Sequence, residues 1–378
     1  MRTNMKKAFL IHYDGYYDIR LKYLEKNLVD RGYEVSLLFS DFDHYKKERK
    51  IYRNKNIKLI HVHRYKKNIS VRRIISYLSF TKQIVKIINY EVPDLIYAII
   101  PPNTLAHALS DFKTKKPNTK VIFDIFDLYP EQMPKLSNTT VANFWRNLRN
   151  RNLQKVDYVV LECSYYKNIL SKYLDEDKSS VLYLNRPKLE IPYEFKWSNK
   201  QIDIAYLGSI NHHIDIDKIV AFLKALNKRK KVVLHIIGDG EKAAEFKNKV
   251  QMQGIDTEFY GAVFDDKKKR KILQKCQYGL NVYRKNLGIG LTMKSVEYYQ
   301  VGLPIINAGI YDSKVMIETF GAGFSLESEE ALASKISNLT HGEWCEHHTL
   351  TLKVFEQNFS TLKYQKNLTD ILERIISE

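Results

Sequence analysis

A rhythm constrains this chain more than any single motif. Short runs rich in Ile, Val, Leu and Tyr alternate with helical patterns, and the alternation restarts midway. In the first half, strand-like runs fall at 7–12, 34–39, 58–63, 95–100, 120–124 and 158–162, with helical segments at 18–30, 71–89 and 140–152 among them. In the second half, strands are expected at 202–207, 232–237, 257–260, 278–282, 303–307 and 323–326, and the clearest helices at 241–253, 266–276 and 292–301. Strands separated by helix-length segments run parallel, because a parallel pair needs a crossover long enough to return to the starting edge. The period therefore predicts two successive α/β domains, 1–185 and 201–360. Between them 186–200, with Pro187 and Pro192 and no clear period, reads as a linker. Residues 361–378 read as a C-terminal helix packing back on the first domain. The 378 residues, 44% of them hydrophobic, are enough for two cores.

Charge narrows the partners. Lys and Arg number 61 against 43 Asp and Glu, a formal net charge of +18, and so large an excess implies an anionic partner: nucleic acid, phosphorylated ligand or membrane surface. The excess is local. Between His44 and Tyr90 there are 14 Lys and Arg and a single acid, Glu48. Within that window 71–89 is amphipathic. Arg72, Ser76, Ser79, Lys82, Gln83 and Lys86 gather on one side, and Val71, Ile74, Tyr77, Leu78, Phe80, Ile84, Val85, Ile87 and Ile88 on the other, with Arg73 and Ile75 off pattern. One reading is a core-packed helix with a solvated basic face; the other is docking on an anionic membrane. Nucleic acid ranks last, because no recognition motif accompanies the charge. Three scattered cysteines, Cys163, Cys276 and Cys345, fit a reducing cytoplasm rather than a disulfide framework, and no run approaches the ~20 apolar residues of a spanning helix. Adjacent His212 and His213 are expected to point apart, and Cys345-Glu346-His347-His348 to lie in a late polar loop, so no metal site is expected.

In parallel sheets, ligands sit beyond the carboxyl ends of the strands. That places 13–17, 124–131, 208–213, 238–240, 261–264 and 283–294 at functional edges, with the interdomain cleft as the expected site. The turn at Gly15 and the turn at Gly238-Asp239-Gly240 each join a strand to a helix, but neither completes a dinucleotide or P-loop spacing. The segment YRKNLGIGLTMKSVEYYQVGLPIIN, from Tyr283 to Asn307, is the most informative. Gly288 and Gly290 precede a helix whose open N–H groups suit a diphosphate. Lys294 stands in its first turn, where its charge opposes the helix dipole, so an anionic ligand explains it better than helix stability does. Glu297, three residues on, suits sugar hydroxyls; the plain alternative is a surface Lys294–Glu297 pair.

These strings resemble the retaining GT-B glycosyltransferases, specifically the large family 4-like group that builds bacterial surface polysaccharides. The resemblance spans nearly the whole chain. It rests on YLGS (206–209), IIGDGE (236–241), FYGAV (259–263) and K-x-x-E-Y-Y-x-x-G-L-P (294–304), with PDLIYAIIPPN (93–103) and FDIFDLYPEQM (123–133) similar to the acetamidosugar-transferring branch. It implies two Rossmann-like domains facing across a cleft. The donor, a nucleotide-sugar with UDP favoured, would lie on the second domain, with no metal or other cofactor. Glu297 would bind the ribose and the backbone of Gly261 to Val263 the base. Lys294 with Gly290 to Thr292 would face the diphosphate, beside Gly208, Ser209 and Gly238. Asp127 would lie near the reacting sugar and Gly15 would line the cleft; Asp127 and Lys294 are the catalytic candidates.

Three positions depart from the family pattern. Ile289 stands where a second glutamate is frequent, Ser209 where an arginine is, and Phe126 where a histidine is. Arg284, Lys285, His212 or His213 would then have to help neutralise the diphosphate. The expected protein is a cytoplasmic glycosyltransferase, peripheral on the inner face of the membrane through 44–90. It would extend a surface glycan or a polyprenyl-diphosphate-linked saccharide with retention of configuration; a homo-oligomer is left open. The alternative is a glycosyltransferase-like partner subunit without chemistry of its own.

Overall fold

The computed structural model describes residues 5–14, 19–51, 54–67, 70–131, 139–189, 197–285 and 287–376. The chain divides into two compact units, Met1–Tyr183 together with Gln365–Glu378, and Leu184–Tyr364. The boundary at 183/184 puts the start of the segment read as a linker inside the second unit, and 190–196 lies outside the described residues.

The first unit holds a sheet of seven strands: β1 (Lys6–His12), β2 (Tyr33–Ser40), β3 (Ile57–Ile60), β4 (Leu95–Ile100), β5 (Lys120–Ile125), β6 (Tyr158–Leu161) and β7 (Ser179–Val181). Their order is β3-β2-β1-β4-β5-β6-β7, and every paired neighbour is parallel. The second unit repeats the plan with β8 (Gln201–Leu207), β9 (Lys231–Ile237), β10 (Asp256–Gly261), β11 (Tyr278–Val282), β12 (Ile305–Ala308) and β13 (Gly323–Ser325), in the order β10-β9-β8-β11-β12-β13. The central strands are near-continuous apolar runs: all six residues of β4, LIYAII, are buried. A strand covered by helices on both faces has no solvent side to alternate toward. Each sheet reverses its winding direction once, between β1 and β4 and between β8 and β11, and at such a switch point the loops diverge and leave a crevice.

One buried ion pair anchors the first unit. Arg20 Nη1 lies 2.8 Å from both carboxylate oxygens of Asp124, and the Tyr97 hydroxyl donates to Asp124 Oδ2 at 2.7 Å. With two donors on it, the carboxylate tolerates complete burial.

The Val71–Glu91 helix corrects the amphipathic reading. It buries Ser76, Tyr77, Phe80, Thr81, Ile84 and Ile88. Val71 is 71% exposed, Ile75 44% and Leu78 51%. The inward face admits Ser76 and Thr81 because each finds a partner: the Tyr13 and Ser76 hydroxyls share a hydrogen bond of 2.7 Å, and those of Thr81 and Thr104 one of 2.8 Å. Residues 71, 75, 78, 82 and 86 therefore form the outward stripe, apolar at its N-terminal end and basic beyond. The Thr140–Asn150 helix, linked by a Tyr77–Trp145 ring stack at 6.3 Å, also exposes Val141 and Phe144.

Candidate functional site

The carboxyl edge of the second sheet is built by two glycine turns lying backbone to backbone. After β8, Gly208 takes φ +111°, and its N–H donates to Ile237 O at 2.9 Å; the Ile210 N–H donates to Asp239 O at 2.9 Å. A Cβ on Gly238 would stand 1.9 Å from Gly208 O, and one on Gly240 2.4 Å from Ile210 O. The glycines at 208, 238 and 240 are what allow two strand ends to meet this closely.

Lys294 reaches into this edge. It is only 7% exposed. Its Nζ lies 4.6 Å from the ring centre of Tyr206, on β8, and 4.4 Å from that of Tyr283, just after β11. The ammonium therefore sits at the switch point itself, against the faces of two rings whose π-electrons favour a cation. Among the described residues no carboxylate forms an ion pair with it. Burial pulls its pKa down to about 7, so its charge is unsatisfied in a place where an anion would complete it.

Lys294 belongs to the Met293–Gln300 helix, whose N-cap is Thr292: the Ser295 N–H donates to Thr292 Oγ1 at 3.2 Å. The Thr292 hydroxyl also donates to Asn281 Oδ1 at 3.3 Å, fixing the helix start to β11. Gly290 is buried, and its carbonyl accepts from the Asp312 N–H at 2.8 Å. Arg284 is exposed and tied through its N–H to His213 O at 2.9 Å; Ser209 is exposed, and its carbonyl accepts from the Tyr206 hydroxyl at 2.8 Å. Gly261 ends β10 at φ +66°, with Val263 half-buried in the loop that follows.

Glu297 and Lys294 do not pair. Glu297 Oε2 accepts from Lys269 Nζ at 2.7 Å, and Oε1 is engaged by Arg186 Nη2. Sequence reasoning missed Arg186 and Lys269. Arg186 lies in the Pro-containing stretch read as a linker, and Lys269 in the strongly basic Asp266–Leu273 helix, where one lysine looks like its neighbours. Tyr206 and Tyr283 were legible only as strand-end tyrosines.

In the first unit, Asp127 is exposed on the loop after β5, and Gly15 lies outside the described residues. The off-pattern Arg73 turns inward: its guanidinium carbon is 5.2 Å from the Tyr77 ring centre and 5.9 Å from those of Tyr65 and Tyr129. Burial raises the pKa of the Asp14 carboxyl beside it. Burial, with Arg73 and Lys47 adding to it, pulls His44 down to about 4.

Two histidine readings are corrected. The His212 and His213 rings lie 4.2 Å apart, side by side rather than diverging, and His212 Nδ1 is 2.9 Å from Glu241 Oε1. Residues 345–348 lie in the His341–Asn358 helix, not a loop: its capping box at Thr340 and Glu343 starts the helix just before them, and the ring nitrogens of His347 and His348 meet Gly321 O and Gly302 O. Among the described residues, no three His, Cys, Asp or Glu side chains group to hold a metal ion.

Two Rossmann-like units in succession make this a GT-B fold. Residues 201–341 match the family model described as glycosyl transferases group 1. Among solved structures, the chain is similar to the lipopolysaccharide outer core galactosyltransferase WaaB in its apo form (14% identity, TM-score 0.69, covering 98% of this chain and 99% of that one). It is similar also to sucrose-phosphate synthase from Thermosynechococcus elongatus (12%, 0.70, 98% and 99%) and to Anabaena HepE in complex with UDP (14%, 0.67, 98% and 100%). A search of curated proteins returns no match.

Proposed function

We propose that the protein is a retaining, metal-independent glycosyltransferase that takes a sugar from a nucleotide-sugar, with UDP favoured, and places it on a surface-glycan or lipid-linked saccharide. The observation that carries this reading is Lys294: a buried cation with no acidic partner among the described residues, at the switch point of the sheet whose segment matches the group 1 family. When the bond between the anomeric carbon and the diphosphate oxygen breaks, negative charge builds on the leaving group. Lys294 and the first N–H groups of its helix are pre-placed to meet that charge. Retention requires the acceptor hydroxyl to arrive on the face the diphosphate leaves, its proton passing to the departing phosphate oxygen. Asp127 is assigned to orienting the reacting sugar. UDP is favoured because the similar HepE structure holds UDP.

Thermal stabilisation by UDP-, GDP-, dTDP- and ADP-sugars tests the donor. A ligand at a hundredfold excess over its Kd stabilises by about 2.7 kcal/mol. A selective shift that disappears in Lys294→Ala supports the reading; stabilisation by none of the four sinks it.

The membrane reading belongs to the same proposal. Among the described residues no helix is long and apolar enough to cross a bilayer. The outward stripe Val71, Ile75 and Leu78, followed by Lys82 and Lys86, is instead suited to lying at an anionic surface, with apolar groups at the headgroup boundary and lysines on the phosphates.

A further inference from the structure

The arrangement around Glu297 goes one step beyond the donor-site reading on which it rests. The Glu297 side chain is 13% exposed and holds a cation on each oxygen: Arg186 on Oε1, Lys269 on Oε2. The two cations come from different places. Lys269 projects from the Asp266–Leu273 helix, steadied by Asp266 at 3.2 Å. Arg186 is pinned by its backbone, donating its N–H to Phe359 O at 2.9 Å and accepting from the Thr361 N–H at 3.0 Å. The adjoining Pro187 carbonyl accepts from Gln300 at 2.7 Å, at the end of the helix that carries Glu297. The carboxylate is thus held from both sides by groups that cannot easily swing away.

An ionised carboxylate offers about four lone-pair positions, two on each oxygen. Two are used here, one on each oxygen, and one remains on each. The free pair matches two donors on neighbouring carbons, the vicinal hydroxyls of a ribose. Arg186 supplies a second sign of an incomplete site: among the described residues its Nε is buried with no hydrogen-bond partner, a donor still able to meet a hydroxyl oxygen.

We propose that Arg186 and Lys269 are positioning residues for the donor nucleotide, fixing Glu297 so that its two remaining lone pairs accept the 2′- and 3′-hydroxyls of the ribose. A carboxylate acceptor binds a hydroxyl more strongly than a neutral acceptor does.

The test compares UDP with 2′-deoxy-UDP by calorimetric titration of the full chain and its Glu297→Gln, Arg186→Gln and Lys269→Gln variants. Each variant's thermal melt reports folding separately. Wild type is expected to prefer UDP by about tenfold, the scale of one hydrogen bond to a charged group. Glu297→Gln brings that ratio close to one, and Arg186→Gln and Lys269→Gln each reduce it severalfold while 2′-deoxy-UDP affinity changes little. If Glu297→Gln removes the preference but neither cation variant alters it, the positioning role is overturned and the donor reading stands. If the cation variants lower the melting temperature and weaken both nucleotides equally, the two cations are structural staples only and the proposal fails. A wild type that binds UDP without preference refutes the ribose role of Glu297, and this inference with it.

Discussion

The Lys294 ammonium lies 4.4 Å from the centre of the Tyr283 ring, at the point where the winding of the second sheet reverses. That contact joins a first-turn lysine to the end of β11, and the Tyr206 ring closes the other side from β8. A lysine held this way is costly to the empty protein and useful to an occupied one.

The cost has a sign in pH. Lys294 titrates near 7 folded and near its ordinary 10.5 unfolded. Between those values the unfolded chain binds more protons, so stability rises with pH across 7 to 10.5; below 7 the whole burial penalty is present. Lys294→Met is expected to stabilise the unliganded protein at pH 6 by a few kcal/mol, an order-of-magnitude figure from the depressed pKa, and to narrow the gap toward pH 10. Chemical denaturation at both pH values checks this. A variant less stable than wild type at pH 6 contradicts it.

Donor binding restores the charge. UDP binding at pH 8 is expected to draw a proton onto Lys294, seen as a binding enthalpy that varies with the ionisation enthalpy of the buffer. Lys294→Met should remove most of that dependence. Equal enthalpies for wild type in all buffers would count against a titrating lysine at the phosphates.

The glycine turns admit a sharp prediction. At Gly238 a methyl group would fall 1.9 Å from Gly208 O, and since that neighbour is backbone, relief requires moving a strand end. Gly238→Ala is expected to cost about 1–3 kcal/mol and to weaken UDP by displacing the turn below Lys294. Gly342→Ala, which meets nothing within 4 Å, is the control.

In the first unit, Asp124→Ala leaves the Arg20 guanidinium buried without its carboxylate, a loss of about 3–5 kcal/mol. Tyr97→Phe removes one donor from the same carboxylate and should cost about 1–3 kcal/mol. Urea titration of the two variants should rank them in that order.

At the surface, Val71→Ser with Leu78→Ser should leave the melting point nearly unchanged, since both side chains are already exposed. It should reduce flotation with anionic vesicles about tenfold, the scale of losing one or two apolar side chains from the headgroup boundary. Equal flotation with neutral and anionic vesicles would remove the electrostatic half of the membrane reading.

Much of this architecture was legible because parallel sheets write themselves plainly. Runs such as 95–100 and 232–237 have no solvent face and stay apolar throughout, so twelve of the strands were placed within a few residues of where they lie. The short strand Ser179–Val181 carries two serines and no apolar run, and it escaped notice. Faces were harder than elements. Ser76 read as outward by polarity, yet it buries against the Tyr13 hydroxyl, distant in sequence, which no local pattern reports. The same holds at the site. Lys294 and Glu297 were singled out by their spacing and glycine context, but Arg186 reaches Glu297 across 111 positions of sequence. Ile289, Ser209 and Phe126 raised the prospect of a subunit without chemistry; of the three, Ser209 touches the Lys294 arrangement, its carbonyl accepting from the hydroxyl of Tyr206, whose ring packs on the lysine.

The central claim is that the second unit seats a nucleotide diphosphate on Lys294. A crystal structure of the complex with UDP tests it most directly. The account predicts phosphate oxygens between the turn at 208–209 and the first turn of the Met293–Gln300 helix, with Lys294 Nζ about 3 Å from one of them. UDP bound elsewhere, or seated there with Lys294 still turned into its tyrosines and out of reach, would contradict it.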